Sequence, residues 1–271
     1  MKRAAVLGSP IKHSLSPLIH NAAYRKLGIL AEYEACEVSS DDLSGFLESK
    51  MTQNEWMGFS LTMPLKEKVC EIARSFGIEL DSQASRINSA NTVYREGAHW
   101  RATSTDVSGF SFLLRNRKFE SATIFGAGGT ARAAIEALDT ETAITIVLRN
   151  ARREAEIQSA FPQHKISFMS WKDFQHAWSH QLVIIAVPIN AIADLEDSFR
   201  APELLIDVLY SPWIPPVSLM QMKSGKKFFT GIDLLCAQAL GQIRFMTGTD
   251  FDDQELFAHL KYVAEEYLSK S

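Results

Sequence analysis

Residues 121–131, SATIFGAGGTA, decide the fold. A short apolar run, Ala122 to Phe125, feeds straight into a glycine-rich turn, and helix-forming residues begin at Arg132. Gly126, Gly128 and Ala131 fill the three small positions of a G-x-G-x-x-G/A pattern. The first allows a tight turn, the second lets backbone approach a pyrophosphate, and the third lets helix pack on strand. Such a pattern alone is weak, but one that follows a strand and opens a helix is specific. Free backbone N–H groups and the positive end of the helix would meet phosphate there. The turn predicts a dinucleotide-binding α/β domain, and with it an oxidoreductase.

Outward from the turn, the strand AITIVL (143–148) ends where a carboxylate would normally take the ribose hydroxyls of NAD. Arg149 stands there instead, with Arg152 and Arg153 close behind, a cluster suited to the 2'-phosphate of NADP. The alternative is that these arginines only solvate a helix start, although positive charge there opposes the helix dipole. LVIIAVP (182–188) and ELLIDVLY (203–210) are near-continuous apolar runs, as expected for parallel strands covered by helices on both faces. From about Asp233 the pattern is helical.

Upstream, short β-type runs alternate with helical spacing: AAVL, a helix from Pro17 to Leu27, EYEACEV, a helix from Asp41 to Glu48, MGFSLTM, and a helix over LKEKVCEIARSFG. NTVYREGAHWRA predicts a hairpin around Glu96-Gly97, and VSGFSFLLRN a helix leading away from it. At 271 residues, two α/β domains are expected. Their predicted limits are 1–106 and 107–232, with C-terminal helices over 233–271.

Hydrophobic residues make up 46% and charged residues 22%, an ordinary globular balance, and a net charge of -4 gives no broad basic surface for nucleic acid. The first apolar run stops at Leu7, too short for a signal-peptide core, and no run approaches the roughly 20 residues of a membrane span. Cys36, Cys70 and Cys236 are distant and odd in number, which predicts reduced thiols and a cytoplasmic chain. No metal site is expected. His13 and His20 lack a carboxylate cluster; His13 is expected to fix the loop presenting Ser14, and His20 to pack on its helix beside Asn21.

Polar residues gather on loops. Ser14 and Ser16 lie two apart between a strand and a helix, where both hydroxyls can face a carboxylate, although Ser16 would serve equally as a helix N-cap. Thr62 and Lys66 sit where GFSLT passes through Pro64 into a helix, a strand-end position favoured for ligands, although Lys66 alone reads equally as surface charge.

Seven segments in chain order resemble the shikimate dehydrogenase family. LGSPIKHSLSPLIHNAAY is similar to its N-terminal signature, GFSLTMPLK to G-x-N-V-T-x-P-x-K, SANTV to A-x-N-T, and STDVSGF to N-T-D-G-x-G-F. GAGGTARA resembles its cofactor turn, DVLYSP a D-x-x-Y-x-P segment, and GIDLLCAQALGQIRFMTG the stretch carrying a substrate-binding glutamine.

The resemblance implies reversible, NADP-dependent interconversion of shikimate and 3-dehydroshikimate by a monomer or homodimer. It implies an N-terminal αβα substrate domain with a mostly parallel sheet, a Rossmann-type NADP domain, and C-terminal helices returning to the first domain. Carried over residue by residue, Lys66 and Asp106 form the catalytic pair and also touch substrate. Ser14 and Ser16 bind its carboxylate, and Thr62, Asn91 and Gln238, with Tyr210 nearby, meet ring hydroxyls. Gly126, Ala127, Gly128, Gly129, Thr130, Ala131, Arg149, Arg152, Val187 and Gly231 hold the cofactor. The chain departs from the family pattern at Ser60, Ser104 and Val107, and AVPINA lacks the T-P-x-G-M pattern near the nicotinamide. Two other readings stand beside this one: a quinate/shikimate dehydrogenase with relaxed substrate or cofactor choice, opposed by the paired serines and Arg149, and a non-catalytic NADP-responsive protein, opposed by Lys66 and Asp106.

Overall fold

Alternating apolar runs and helical stripes fold into two α/β units in the computed structural model, which describes residues 1–191 and 193–270. One unit comprises Met1–Gly109 with Leu235–Ser271, the other Phe110–Leu234. The C-terminal helices thus group with the first unit, as the resemblance implied.

In the first unit the chain runs β1 (Lys2–Gly8), α1 (Ser16–Leu27), β2 (Ala31–Glu37), α2 (Leu43–Met51), β3 (Trp56–Leu61), α3 (Leu65–Ile72), β4 (Ile78–Leu80), α4 (Ser82–Ile87), β5 (Thr92–Glu96), β6 (His99–Thr103) and the start of α5 (Thr105–Leu114), whose second half belongs to the second unit. The sheet order is β2-β1-β3-β5-β6-β4. β1 is parallel to β2 and β3, and β4 to β6, while β5 is antiparallel to both neighbours. That mixed pairing positions the site. The parallel strands β1 and β3 end at one edge, and antiparallel β5 starts there, with Thr92 opposite Ser60. β6 returns to the same edge, with Thr103 opposite Thr92. Four segments expected to carry chemistry therefore emerge together: the loops after β1 and β3, the residues before β5, and those after β6. Beneath them β3 is buried throughout, and Phe59 stacks on Trp100 with centroids 5.6 Å apart. Each such large apolar side chain contributes about 1.5–3 kcal/mol on burial.

The second unit runs β7 (Ser121–Phe125), α6 (Gly129–Glu136), β8 (Ala143–Leu148), α7 (Arg152–Ala160), β9 (Lys165–Ser170), β10 (Leu182–Ile185), α8 (Ala193–Glu196), β11 (Leu204–Asp207), α9 (Pro216–Lys223) and β12 (Lys227–Phe229). α10 (Gly231–Thr247) begins here and ends in the first unit, where α11 (Asp253–Leu268) also lies. All five strand pairs are parallel, in the order β12-β11-β10-β7-β8-β9. This is the doubly wound dinucleotide-binding order, and its direction of growth reverses between β7 and β10.

Several elements differ from their sequence reading. The helix expected over 41–48 forms later, over Leu43–Met51, because Asp42 is held in a preceding turn by the Ser39 hydroxyl, 2.6 Å from its carboxylate. LKEKVCEIARSFG is not one helix: α3 gives way to a 3₁₀ turn over Ala73–Phe76, closed by Gly77 at φ 63°. α6 begins three residues before Arg132, at Gly129. β4 and β12 escaped notice at three residues each, too short for any periodic signal. No helix among the described residues is long and apolar enough to cross a membrane.

Candidate active site

The loop after β1 carries Ser14 and Ser16. Gly8 at the strand end leaves no room for a side chain, since a Cβ there would meet the methyl of Thr62 and the Met63 carbonyl oxygen. The loop is closed by the Ser14 N–H donating to the Ile11 carbonyl at 3.0 Å. His13, expected to fix this loop, is exposed, and the backbone turn does that work instead. Ser16 is the first residue of α1 rather than its N-cap, which is Leu15. The capping hydrogen bond comes from Ser14, whose Oγ accepts the Ser16 N–H at 3.3 Å. Both hydroxyls thus lie at the start of a helix whose first turn holds no acidic residue, a setting that favours an anion.

Thr62 leaves β3 with its N–H on the Leu7 carbonyl and its own carbonyl accepting the Leu65 N–H, which starts α3. Lys66, the second residue of that helix, projects its ammonium to Asp106 Oδ2 at 2.5 Å. Asp106, in the first turn of α5, is buried, and its other oxygen accepts Asn91 Nδ2 at 2.8 Å. Asn91 also donates to Gln238 Oε1 at 3.2 Å. Its Oδ1 accepts the Thr105 N–H at 2.7 Å, with the hydroxyls of Thr92 at 2.9 Å and Thr105 at 3.0 Å. Both amide hydrogens of Asn91 are therefore engaged by protein. The Gln238 amide donates to the Leu235 carbonyl at 2.9 Å. Lys66, Asp106, Asn91 and Gln238 form one connected group, and Ser14, Ser16 and Thr62 stand on the loops at the same edge of the sheet.

Sequence reasoning missed the layer behind this group. His20 does not pack beside Asn21; its ring stacks on Tyr33 with centroids 3.9 Å apart and 11° between planes. Asn21 instead pins the Tyr33 backbone through two hydrogen bonds, at 2.8 and 3.0 Å. The Tyr33 hydroxyl donates to Ser60 Oγ at 2.6 Å, which gives that departure from the family pattern a buried partner. Burial holds the His20 imidazole neutral, pushing its pKa down to about 3, and raises that of Tyr33. The available signal was spacing: Gln238 and Gln242 lie four apart and share one face of α10.

In the second unit, Gly126 follows β7 at φ 114°, and a Cβ there would strike the Ala186 carbonyl oxygen and come within 3.3 Å of the Val187 side chain. The glycine turn and Val187 thus stand side by side at the carboxyl ends of β7 and β10, where the strand order reverses. Gly128 is the N-cap of α6, without a side-chain cap, and a Cβ added there meets nothing within 4 Å. Arg153 donates to the Ala127 carbonyl at 3.3 Å. Arg149, exposed at the end of β8, lies over the Trp171 ring at 5.6 Å, and Arg152 is exposed at the start of α7. An uncapped helix start behind a glycine open to space, flanked by cations, fits a pyrophosphate and a further phosphate. Gly231 lies against the chain after β11, its N–H on the Leu209 carbonyl at 2.9 Å. Tyr210 lies half-buried in that same segment, in the second unit. No cluster of three metal-ligating side chains occurs among the described residues.

Comparison with known proteins identifies the family. The family described as "Shikimate dehydrogenase substrate binding domain" matches residues 6–93, which span the serine loop, the Lys66 segment and Asn91. A relative from Bartonella tribocorum, named shikimate dehydrogenase (NADP(+)), is 33% identical over 88% of this chain and 86% of its own length. The crystal structure of the Mycobacterium tuberculosis shikimate dehydrogenase superposes with a TM-score of 0.86 at 30% identity, covering 97% of this chain and all of that one. A shikimate 5-dehydrogenase from Thermus thermophilus, in complex with NADP(H) and shikimate, gives 0.80 at 27% identity, over 97% of this chain and all of the other. With a relative 33% identical over 88% of the chain, and the fold shared along nearly its whole length, this protein belongs to the shikimate dehydrogenase family.

Proposed function

We propose that the chain is an NADP-dependent shikimate dehydrogenase, interconverting shikimate and 3-dehydroshikimate on the route to aromatic amino acids. The observation that carries this reading is the ion pair of Lys66 with buried Asp106, at the sheet edge from which the Ser14 and Ser16 loop also emerges. A hydroxylated ring acid needs a carboxylate site and directional donors, and these loops supply both chemistries. Residues 1–106 with 233–271 bind substrate, and residues 107–232 bind the cofactor.

Ser14 and Ser16 hold the substrate carboxylate at the start of α1. Thr62 and Gln238 meet ring hydroxyls. Asn91 acts mainly by orienting Asp106, since both its amide hydrogens are already engaged. In oxidation Lys66 first gives up a proton to solvent, and its neutral amine then takes the proton of the hydroxyl that becomes a carbonyl; in the reverse direction the ammonium donates that proton back. Asp106 keeps the ammonium at that oxygen. Bound NADP supplies the hydride acceptor. Gly126 to Ala131 hold its pyrophosphate, Arg149 and Arg152 its 2'-phosphate, and Val187 and Gly231 line its nicotinamide end. The Bartonella relative's name and the Thermus complex support both the substrate and the cofactor. We place the enzyme in the cytoplasm, as a monomer or homodimer.

Purified protein given shikimate and NADP is expected to generate NADPH absorbance. No signal with either nicotinamide cofactor overturns the reading.

A further inference from the structure

Asp106 stands at the end of a line of hydrogen bonds that begins on α1 and lies wholly in the first unit. His20 Nε2 is 3.0 Å from Gln242 Oε1, and Gln242 Nε2 is 3.3 Å from Thr92 Oγ1. The Thr92 hydroxyl donates to Asn91 Oδ1 at 2.9 Å, and Asn91 Nδ2 donates to Asp106 Oδ1 at 2.8 Å. With the imidazole proton on Nε2, every donor in the series points toward the carboxylate.

Direction is the essential property, because each amide has one donating and one accepting end. Asn91 can give its NH₂ to Asp106 only while its carbonyl faces Thr92 and Thr105. Flipped, it would set an oxygen against the carboxylate and an NH₂ against the Thr105 N–H. Thr92 donates to that carbonyl while accepting from the Gln242 amide, which also reaches the Asn91 backbone carbonyl at 3.4 Å, and the Gln242 carbonyl faces His20. An imidazole protonated on Nε2 fixes that carbonyl. The opposite ring nitrogen, Nδ1, is buried without a partner, so a proton there would be an orphan donor. Stacking on Tyr33 holds the ring in place.

We propose that His20 and Gln242 are positioning residues which, through Thr92, fix the orientation of the Asn91 amide and hence of the Asp106 carboxylate that holds Lys66. The proposal rests on the reading of Lys66 and Asp106 as the reacting pair. Hydrogen bonds in one direction polarise one another, so the line acts as a unit and is broken by loss of any member.

The test is a double-mutant cycle with two near-isosteric substitutions, Thr92→Val and Gln242→Met. Each is expected to lower kcat for shikimate oxidation about tenfold while leaving KM for NADP within about twofold. The double variant should be no slower than the worse single one, because both cut the same line. Losses that multiply, or no loss in either variant, overturn the proposal. Should a variant fail to fold, nitrogen NMR of the wild-type imidazoles decides the matter independently of activity. His20 is expected as the neutral Nε2–H tautomer, and the Nδ1–H tautomer overturns the proposal. Absence of shikimate turnover in the wild type overturns the functional reading instead, while the tautomer still reports on the line.

Discussion

The Lys66 ammonium lies 2.5 Å from Oδ2 of Asp106, in a pair whose side chains are only 19% and 7% exposed. Removing charge from water is costly, and the arrangement persists because Asn91 satisfies the second carboxylate oxygen. A lysine so placed is held at one point in space, as proton transfer requires.

Lys66→Ala should therefore lower kcat by about 10²–10⁴. NADPH affinity, followed by the cofactor's fluorescence, should be unchanged, because no cofactor-holding residue is altered. A variant with near-normal kcat would remove Lys66 from the chemistry.

The two glycines of the turn should separate folding from binding. Gly126→Ala forces a positive φ on alanine and drives its Cβ into the Ala186 carbonyl, so urea denaturation should show a loss of about 2–4 kcal/mol. Gly128→Ala meets open space and should cost about 1 kcal/mol or less. It should nevertheless weaken NADPH binding at least about tenfold, because its methyl occupies the approach to the pyrophosphate. Unchanged affinity in Gly128→Ala would place the cofactor elsewhere.

Arg149→Asp should reverse the electrostatics at the end of β8. A charge-assisted contact contributes about 1.5–3 kcal/mol, so the ratio of kcat/KM for NADP over NAD should fall about ten- to a hundredfold. If the ratio holds, another group reads the 2'-phosphate.

Asp207 gives a pH signature in stability. Its carboxyl, buried at the end of β11, accepts the Leu209 N–H at 3.1 Å and the Ser218 hydroxyl at 3.3 Å. Burial outweighs those bonds and pushes its pKa from 3.8 up to about 6. The folded state therefore binds this proton more tightly than the unfolded one. The stabilisation is fully present below about pH 4 and is lost as pH rises through about 6, on the order of 3 kcal/mol in all. Asp207→Asn should remove that component, so its stability relative to wild type should rise across this window. A parallel pH dependence in both proteins would contradict the assignment.

The parts of this molecule legible in its sequence were those with strong local signals. The apolar strand before Gly126 announced the dinucleotide unit, and the resemblance carried Lys66, Asp106, Asn91 and Gln238 to positions that the fold connects by hydrogen bonds. What escaped depends on contacts remote in sequence. His20 and Gln242 stand 222 residues apart, and the spacing of Gln238 and Gln242 on one helix face does not say that His20 is what the second glutamine meets. The role of Ser14 as the capping partner of Ser16 is a matter of one backbone turn, which propensity does not resolve. Ser60 reads as an unexplained departure until Tyr33, on the other side of β1, supplies its donor.

The most direct measurement is a matched set of kcat/KM values for shikimate and quinate, each with NADP and with NAD, on the purified wild-type protein. The account expects shikimate with NADP to exceed every other combination by about tenfold or more, since each mismatch leaves a buried polar group or a phosphate-binding cation without its partner. A preference for quinate with NAD, or turnover in none of the four combinations, would contradict it.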